Sequence, residues 1–310
     1  MRIAIIGQQS FGKAVLEAFL NRADEVAGVF VAPEKPGASP DPLRVEAEKR
    51  NIPVFQMPNL TDPAAKEAMK SLDADIGIMA FVLQFAPQNF VNIPRHGTIQ
   101  YHPSLLPKYR GPSSINWPIV CGETETGLTI FRPTDGMDEG PVILQKKIPI
   151  LPDDTLGSIY FDQLFPLGVE AMLEAADLVV AGKHVETVQD EAQANYEGWF
   201  RAPEAEIKWH MHVSQIYNLI RGSDPAPGAW TTLNGEKIQL YSARKHLFPR
   251  FCDVKGRPGT ISEIGEKSFR ITAHGGQIEV FSVRPPNSSK CPAITFLREK
   301  GLEIGSLFGD

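Results

Sequence analysis

The stretch RIAIIGQQSFGKAVLEAFLNRADEVAGVFVA (2–32) decides the fold. Its two ends, RIAIIG (2–7) and EVAGVFVA (25–32), are short continuous apolar runs of the kind a strand shows when both faces are buried. The segment between them, near 11–22, has helical spacing. Strand, helix and strand in so short a span make a crossover unit, and a crossover unit makes its two strands parallel.

The alternation continues outward. Further short apolar runs follow at PVFQ (53–56), DIGIMAF (75–81), GTIQY (97–101), GLTIFR (127–132) and VILQKKIPI (142–150), with helix-like stretches near 41–50 and 62–71. The pattern predicts an α/β fold with a mainly parallel sheet covered on both faces, and its right-handed crossovers place a ligand crevice at the carboxyl ends of the strands. No long helix separates 127–132 from 142–150, so an antiparallel pair is expected at that end of the sheet. PEKPGASPDP (33–42) reads as a surface loop, and 155–182 as mostly helix interrupted at Pro166.

The expected domains are 1–188, a polar connector over 189–205, and 206–310. The last begins with a helix-like stretch at 212–221 and continues with β-rich runs at 237–244, 258–264, 268–273 and 277–284, a small barrel or sandwich.

Composition narrows the function classes. The chain has 310 residues, 42% hydrophobic and 22% charged, in the range of globular proteins. The first apolar run is too short for a signal peptide, and nothing approaches the ~20 apolar residues of a membrane span, so a cytoplasmic location and no membrane partner are expected. Cys121, Cys252 and Cys291 lie far apart with no CxxC pair, which disfavours both a disulfide framework and a zinc finger. The formal net charge is −6, divided as 17 basic and 27 acidic side chains in 1–205 against 14 and 10 in 206–310. A weakly basic C-terminal part permits nucleic-acid contact without demanding it.

Three local patterns carry candidate chemistry. Gly7-Gln-Gln-Ser-Phe-Gly12 comes close to a dinucleotide fingerprint but has Gln9 at the middle glycine, which favours a plain strand-to-helix turn. His210-Met-His212 resembles a metal pair but has no further ligand at a recognisable spacing; the start of a secondary element explains it better. Trp199, Phe200 and Trp209 read as anchors of the connector.

The third pattern lies between His96 and Gly140. His102 closes a strand at the mouth of the crevice, where an imidazole with an ordinary pKa near 6.5 suits proton transfer. Thr134-Asp-Gly-Met-Asp-Glu-Gly140 sets Asp135 and Asp138 in a loop bracketed by glycines. Pattern alone leaves two readings open: an acid/base pair, or a satisfied histidine beside a solvated turn.

The string YHPSLLPKYRGPSSINW (101–117), followed by GLTIF (127–131) and DGMDEG (135–140), closely resembles the folate-dependent formyltransferases. That family includes methionyl-tRNA formyltransferase, sugar formyltransferases and the N-terminal hydrolase domain of 10-formyltetrahydrofolate dehydrogenase, the last being the nearest resemblance. It extends through IGQQSFG (6–12), DPLRVEAEKRNIPVF (41–55), LPDDT (151–155), NYEG (195–198), IRG (220–222) and PGAWT (227–231).

The resemblance implies a Rossmann-like sheet with an OB-like C-terminal barrel, 10-formyltetrahydrofolate as formyl donor, and no metal. It marks His102 and Asp138 as the catalytic pair, and it puts Gln100 where the family usually has Asn, as a longer donor to the oxyanion. It also implies a pterin site beside 79–85, lined by Met79, Phe81, Leu83, Gln84 and Phe85. Arg110 and Gly136 are expected to structure the loops. Pro141 stands where many relatives have Asp. The expected acceptor is water or a small amine. A tRNA acceptor is possible but disfavoured, because PEKPGASPDP has one lysine against two acids and tRNA affinity rests on phosphate neutralisation. A non-catalytic folate-binding module and an NAD-dependent oxidoreductase rank lower.

Overall fold

The computed structural model describes residues 1–248, 250 and 256–309; Cys252 lies outside the described residues. The first sheet is built from β1 (Arg2–Gly7), β2 (Glu25–Val31), β3 (Val54–Gln56), β4 (Ile76–Ala80), β5 (Thr98–His102), β6 (Glu125–Phe131) and β7 (Val142–Pro149). Among the described residues its order is β3-β2-β1-β4-β5-β6-β7. The pairs from β3 through β5 are parallel and β5 with β6 is antiparallel, which bears out the fold class, and β7 follows β6 at the sheet's end.

Helical spacing accounts for the first helix between these strands and side-chain caps for the next two. In α1 (Gln9–Asn21) the buried residues Phe11, Val15, Leu16 and Phe19 recur at helical spacing. In α2 (Pro42–Lys49) and α3 (Pro63–Ser71), Asp41 and Asp62 accept from the backbone N–H of Leu43 and Ala64, and each helix opens on proline. Between β4 and β5 lies the one-turn helix α4 (Gln88–Val91); α5 (Asn116–Cys121) follows β5.

A π-helical turn, Ser158–Leu164, leads into α6 (Phe165–Val180). Pro166 therefore sits in the first turn of α6, where its missing N–H breaks no intrahelical bond. The long helical segment is divided at the point where proline requires it.

Each face of this sheet has its own core. Phe11, Tyr101 and Phe165 cluster on the α1 and α6 side, with ring centroids 4.4 and 5.4 Å apart, and a Cβ on Gly168 would come within 2.7 Å of the Tyr101 ring. Phe30, Met69, Met79 and Phe90 fill the other side. Side chains alternate along a strand, so Gln100 and His102 face away from Tyr101, toward the second core. Gly7 has no room for a side chain, because a Cβ there would overlap the Ala80 carbonyl oxygen.

Two compact units interleave along the chain. The first is 1–111, 127–148 and 163–196; the second is 112–126, 149–162 and 197–310, so no single cut in the sequence separates them. The second unit adds α7 (Val213–Gly222), β8 (Ala229–Leu233), β9 (Glu236–Leu247), β10 (Ile261–Ile264), β11 (Phe269–Ala273), β12 (Gly276–Arg284), β13 (Cys291–Pro292) and α8 (Ala293–Glu299). Its strands pair in the order β10-β11-β12-β9-β8, with β13 on β12, and the register is antiparallel throughout.

α5 packs on α7 within this second unit: Asn116 Nδ2 donates to the Gly222 carbonyl at 2.9 Å. Phe200 and Trp209 belong to its core, whereas Trp199 is half exposed and lies under the Arg201 guanidinium. His212 caps α7 through Nδ1 and its partner Gln215, as the start of an element requires. Among the described residues no helix is long and apolar enough to cross a membrane.

Candidate active site

β5 delivers Gln100 and His102 to one face at the carboxyl end of the sheet. Gln100 lies between Met79 on β4 and Phe131 on β6; its main chain belongs to the sheet ladder, and its side chain makes no hydrogen bond among the described residues. Beyond His102 the chain 103–111 is held in a fixed path. The Thr129 hydroxyl donates to the Ser104 carbonyl at 2.7 Å and accepts from Leu106 N and Gln145 Nε2, while the Ser104 hydroxyl donates to the Lys108 carbonyl at 2.7 Å. Asn195 completes the path, its side-chain oxygen accepting from Tyr109 N at 2.8 Å and its carbonyl from Arg110 N at 3.0 Å.

This path turns Tyr109 into the left-handed region, φ +57°, and aims its carbonyl at His102. His102 Nε2 lies 2.9 Å from that oxygen. A carbonyl only accepts, so Nε2 carries hydrogen and Nδ1 is the nitrogen free to take or give a proton. Asp138 Oδ2 stands 3.6 Å from Nδ1, within ion-pair range but beyond a hydrogen bond. The ring is oriented by Tyr109, and Asp138 supplies negative charge beside the exchangeable position. Both side chains are buried, at 5% and 8% exposure, which strengthens that charge relative to water.

Asp138 is itself held at both ends, carboxylate and carbonyl. Gly111 N donates to its Oδ2 at 2.9 Å, and its carbonyl accepts from Gln189 Nε2 at 2.8 Å. Its φ is +55°, a conformation that costs a non-glycine residue free energy unless the surroundings impose it. The rest of the loop is pinned as well: Asp135 Oδ1 accepts from Gln88 N at 3.0 Å, and Gly140 passes so close to Arg132 that a Cβ would overlap the carbonyl oxygen. A Cβ on Gly136 would overlap the Glu139 carboxylate.

Arg110 is buried and meets Gln189 Oε1 at 2.8 and 3.2 Å and the Glu191 carboxylate at 2.7 and 2.9 Å. Its partners are side chains rather than main-chain carbonyls. The Glu191 hydrogen bond raises the guanidinium above its usual value, and the same bond holds Glu191 below the ordinary carboxylate range.

The 79–85 segment divides by exposure. Met79 is in the core, 3% exposed, whereas Phe81, Leu83 and Phe85 present apolar surface at 42%, 59% and 56%. Gln84 turns away to donate to the carbonyls of Met57 and Pro58, at 2.7 and 2.9 Å. At the first turn, Gln9 N donates to the Asp41 carboxylate at 2.8 and 3.1 Å. The anion at the start of α1 is the chain's own, where a dinucleotide fold would seat a pyrophosphate. Among the described residues no cluster of three or more His, Cys, Asp or Glu side chains is arranged to hold a metal ion.

Sequence reasoning did not single out Tyr109, Thr129, Gln145, Gln189 or Asn195. Asn195 lies inside the NYEG block, a usable signal; the others act through backbone atoms or across long separations, such as the 79 residues between Arg110 and Gln189.

Residues 1–175 match the formyl transferase family, and residues 201–301 match its C-terminal domain. The chain is 40% identical over 248 residues to the mitochondrial 10-formyltetrahydrofolate dehydrogenase of Mus musculus, covering 78% of this chain and 27% of that one. It thus spans about a quarter of the length of that relative. It is 32% identical over 312 residues to the methionyl-tRNA formyltransferase of Syntrophus aciditrophicus (strain SB), covering 99% and 98% of the two chains. Among solved structures, HypX from Aquifex aeolicus in complex with tetrahydrofolic acid has a TM-score of 0.69 at 22% identity, over 97% of this chain and 48% of that one, a likeness of fold.

Proposed function

This chain belongs to the formyl transferase family, and on that premise we propose that it removes the formyl group from 10-formyltetrahydrofolate and passes it to water or a small amine. His102 is the acid/base, Asp138 its charge partner and Gln100 the donor to the oxyanion. The observation that carries this is the imidazole fixed at Nε2 by the Tyr109 carbonyl, with Nδ1 facing the Asp138 carboxylate at 3.6 Å.

The nucleophile's lone pair forms a bond to the formyl carbon, the carbonyl π pair moves to oxygen, and His102 Nδ1 takes the nucleophile's proton. Asp138 stabilises the imidazolium, and an amide N–H of Gln100 donates to the oxyanion. On collapse the bond from carbon to N10 breaks, its electron pair goes to N10, and the imidazolium returns the proton there. Water as nucleophile gives formate and tetrahydrofolate; a primary amine gives a formamide and tetrahydrofolate. The exposed apolar wall of Phe81, Leu83 and Phe85 suits a flat pterin ring.

A second reading is formylation of methionyl-tRNA, favoured by the full-length similarity to the Syntrophus aciditrophicus enzyme. The loop after β2 speaks against it. Its Glu34 carboxylate is folded inward onto Asp41 N, Arg44 and Gln56 Nε2, and Lys35 is its only lysine, so little positive charge faces a phosphate backbone there. The deciding experiment incubates the protein with 10-formyltetrahydrofolate alone, with small amines and with aminoacylated methionyl-tRNA, following tetrahydrofolate, formate and formylated product. No tetrahydrofolate under any condition sinks the reading. Release that depends on methionyl-tRNA selects the second one.

A further inference from the structure

Gln189 lies 51 residues from Asp138 in the chain and is 6% exposed, yet its amide is fully engaged. Nε2 donates to the carbonyl of Asp138 at 2.8 Å and to that of Gly140 at 2.7 Å, while Oε1 accepts from Arg110 at 2.8 and 3.2 Å. The guanidinium is always a donor, so it fixes which end of the amide is oxygen and leaves the NH2 to face the two carbonyls. The backbone at this point is also placed: Val142 and Thr187 exchange hydrogen bonds at 2.8 and 2.9 Å, two residues from Gln189 and next to the loop's end at Pro141.

We infer that Gln189 is a positioning residue for the reaction, locking the main chain of the Asp138 loop so that the Asp138 carboxylate stays beside His102 Nδ1. This rests on the reading of His102 and Asp138 as the reaction centre. The physical need is the left-handed Asp138, φ +55°, which persists only while its surroundings over-determine it. Gly111 N holds the carboxylate and Gln189 holds the carbonyl, so one side chain and one backbone group grip opposite ends of a single residue. Arg110, held in turn by Glu191, stiffens the grip.

Without Gln189 the Asp138 and Gly140 carbonyls lose a buried donor, and the loop relaxes toward ordinary backbone angles. A shift of about 1 Å at a reacting group costs on the order of 10²-fold in rate. Gln189→Leu is therefore expected to lower kcat by roughly tenfold to a hundredfold, with the folate KM within a few-fold. Gln189→Glu isolates the donor role. It keeps an acceptor for Arg110 but turns an oxygen on the two carbonyls, and it should lose as much as Gln189→Leu or more.

The test on the full chain is a double-mutant cycle with Asp138→Asn. If Gln189 acts through Asp138, adding Gln189→Leu to Asp138→Asn changes kcat by no more than about twofold. Full additive loss, or a near wild-type kcat in both folded single variants, overturns the inference. A second readout needs no turnover. The imidazole 15N signals of His102 should move in the same direction in Gln189→Glu as in Asp138→Asn, and unchanged signals in a folded Gln189→Glu refute the positioning role. A wild-type protein that turns over no 10-formyltetrahydrofolate refutes the proposed function instead, leaving the NMR comparison to decide on Gln189.

Discussion

His102 Nε2 hydrogen-bonds to the Tyr109 carbonyl at 2.9 Å, and this contact fixes which nitrogen of the neutral imidazole carries the hydrogen. A histidine at the mouth of a parallel sheet has two nitrogens and two tautomers. Here the hydrogen of a neutral ring sits on Nε2, which leaves Nδ1 as the bare nitrogen, on the side of Asp138.

The first prediction follows from that assignment. His102→Ala and Asp138→Ala each lower turnover of 10-formyltetrahydrofolate by at least about 10², while folate affinity stays within a few-fold, because both groups act mainly in the transition state. Steady-state kinetics beside equilibrium folate binding separate the two effects. Near wild-type turnover in either variant removes that residue from the reaction centre.

The second prediction concerns backbone clearance in the first turn. Gly7→Ala puts a methyl group onto the Ala80 carbonyl oxygen, and neither β1 nor β4 can retreat without losing its ladder. A destabilisation of about 2–3 kcal/mol is expected. Urea denaturation measures it. A change below about 0.5 kcal/mol, the range of neutral surface substitutions, refutes the clash.

The third prediction concerns pH. Main-chain donation from Asp41 is the chief cause holding Glu34 down to about 2, against an ordinary 4.5. A carboxylate depressed by folding stabilises the native state fully above its unfolded value and loses that contribution as pH falls through the folded value. The melting-temperature gap between wild type and Glu34→Gln should thus be constant above about pH 5 and shrink between about pH 4.5 and 2. A gap that widens on acidification contradicts the account of this loop.

The parallel order of the sheet was legible because RIAIIG and EVAGVFVA flank a helical period long enough to cross over the sheet, the connection parallel strands need. The same alternation placed Gln100 and His102 on one face. The family resemblance, not the alternation, put Met79 beside the pterin with Phe81, Leu83, Gln84 and Phe85; in the structure Met79 lies in the core and the exposed apolar surface is Phe81, Leu83 and Phe85. The short elements α4, α5, β8 and α8 carry too few residues for a period to register. What no one-dimensional pattern held was the bracing of Asp138. Gln189 reaches it across 51 residues and Gly111 across 27, and both contacts use backbone atoms, which leave no mark on side-chain identity.

The last prediction concerns Gln100. In the structure it is half-buried between Met79 and Phe131 with no side-chain hydrogen bond among the described residues, on the same face as His102 and two residues before it. Its amide is not among the buried side-chain groups left without a partner, so water reaches it in the resting protein, and a developing oxyanion can accept its N–H in place of that water. Gln100→Leu is therefore expected to lower the turnover number by roughly tenfold with little change in folate affinity, since the bond strengthens only as charge develops. The effect is smaller than for a rigid donor, because the extra methylene adds a rotamer that must be frozen. Removing an amide with no protein partner should also leave the resting protein about as stable as before, which thermal melting reads directly. Gln100→Asn separates a stretched donor from a fitted one. If the shorter amide raises formyl transfer to an amine acceptor, the natural side chain holds transfer back, and water or a specialised acceptor is the natural one. If it abolishes activity, Gln100 is fitted to its length, and its description as a weakened donor is wrong.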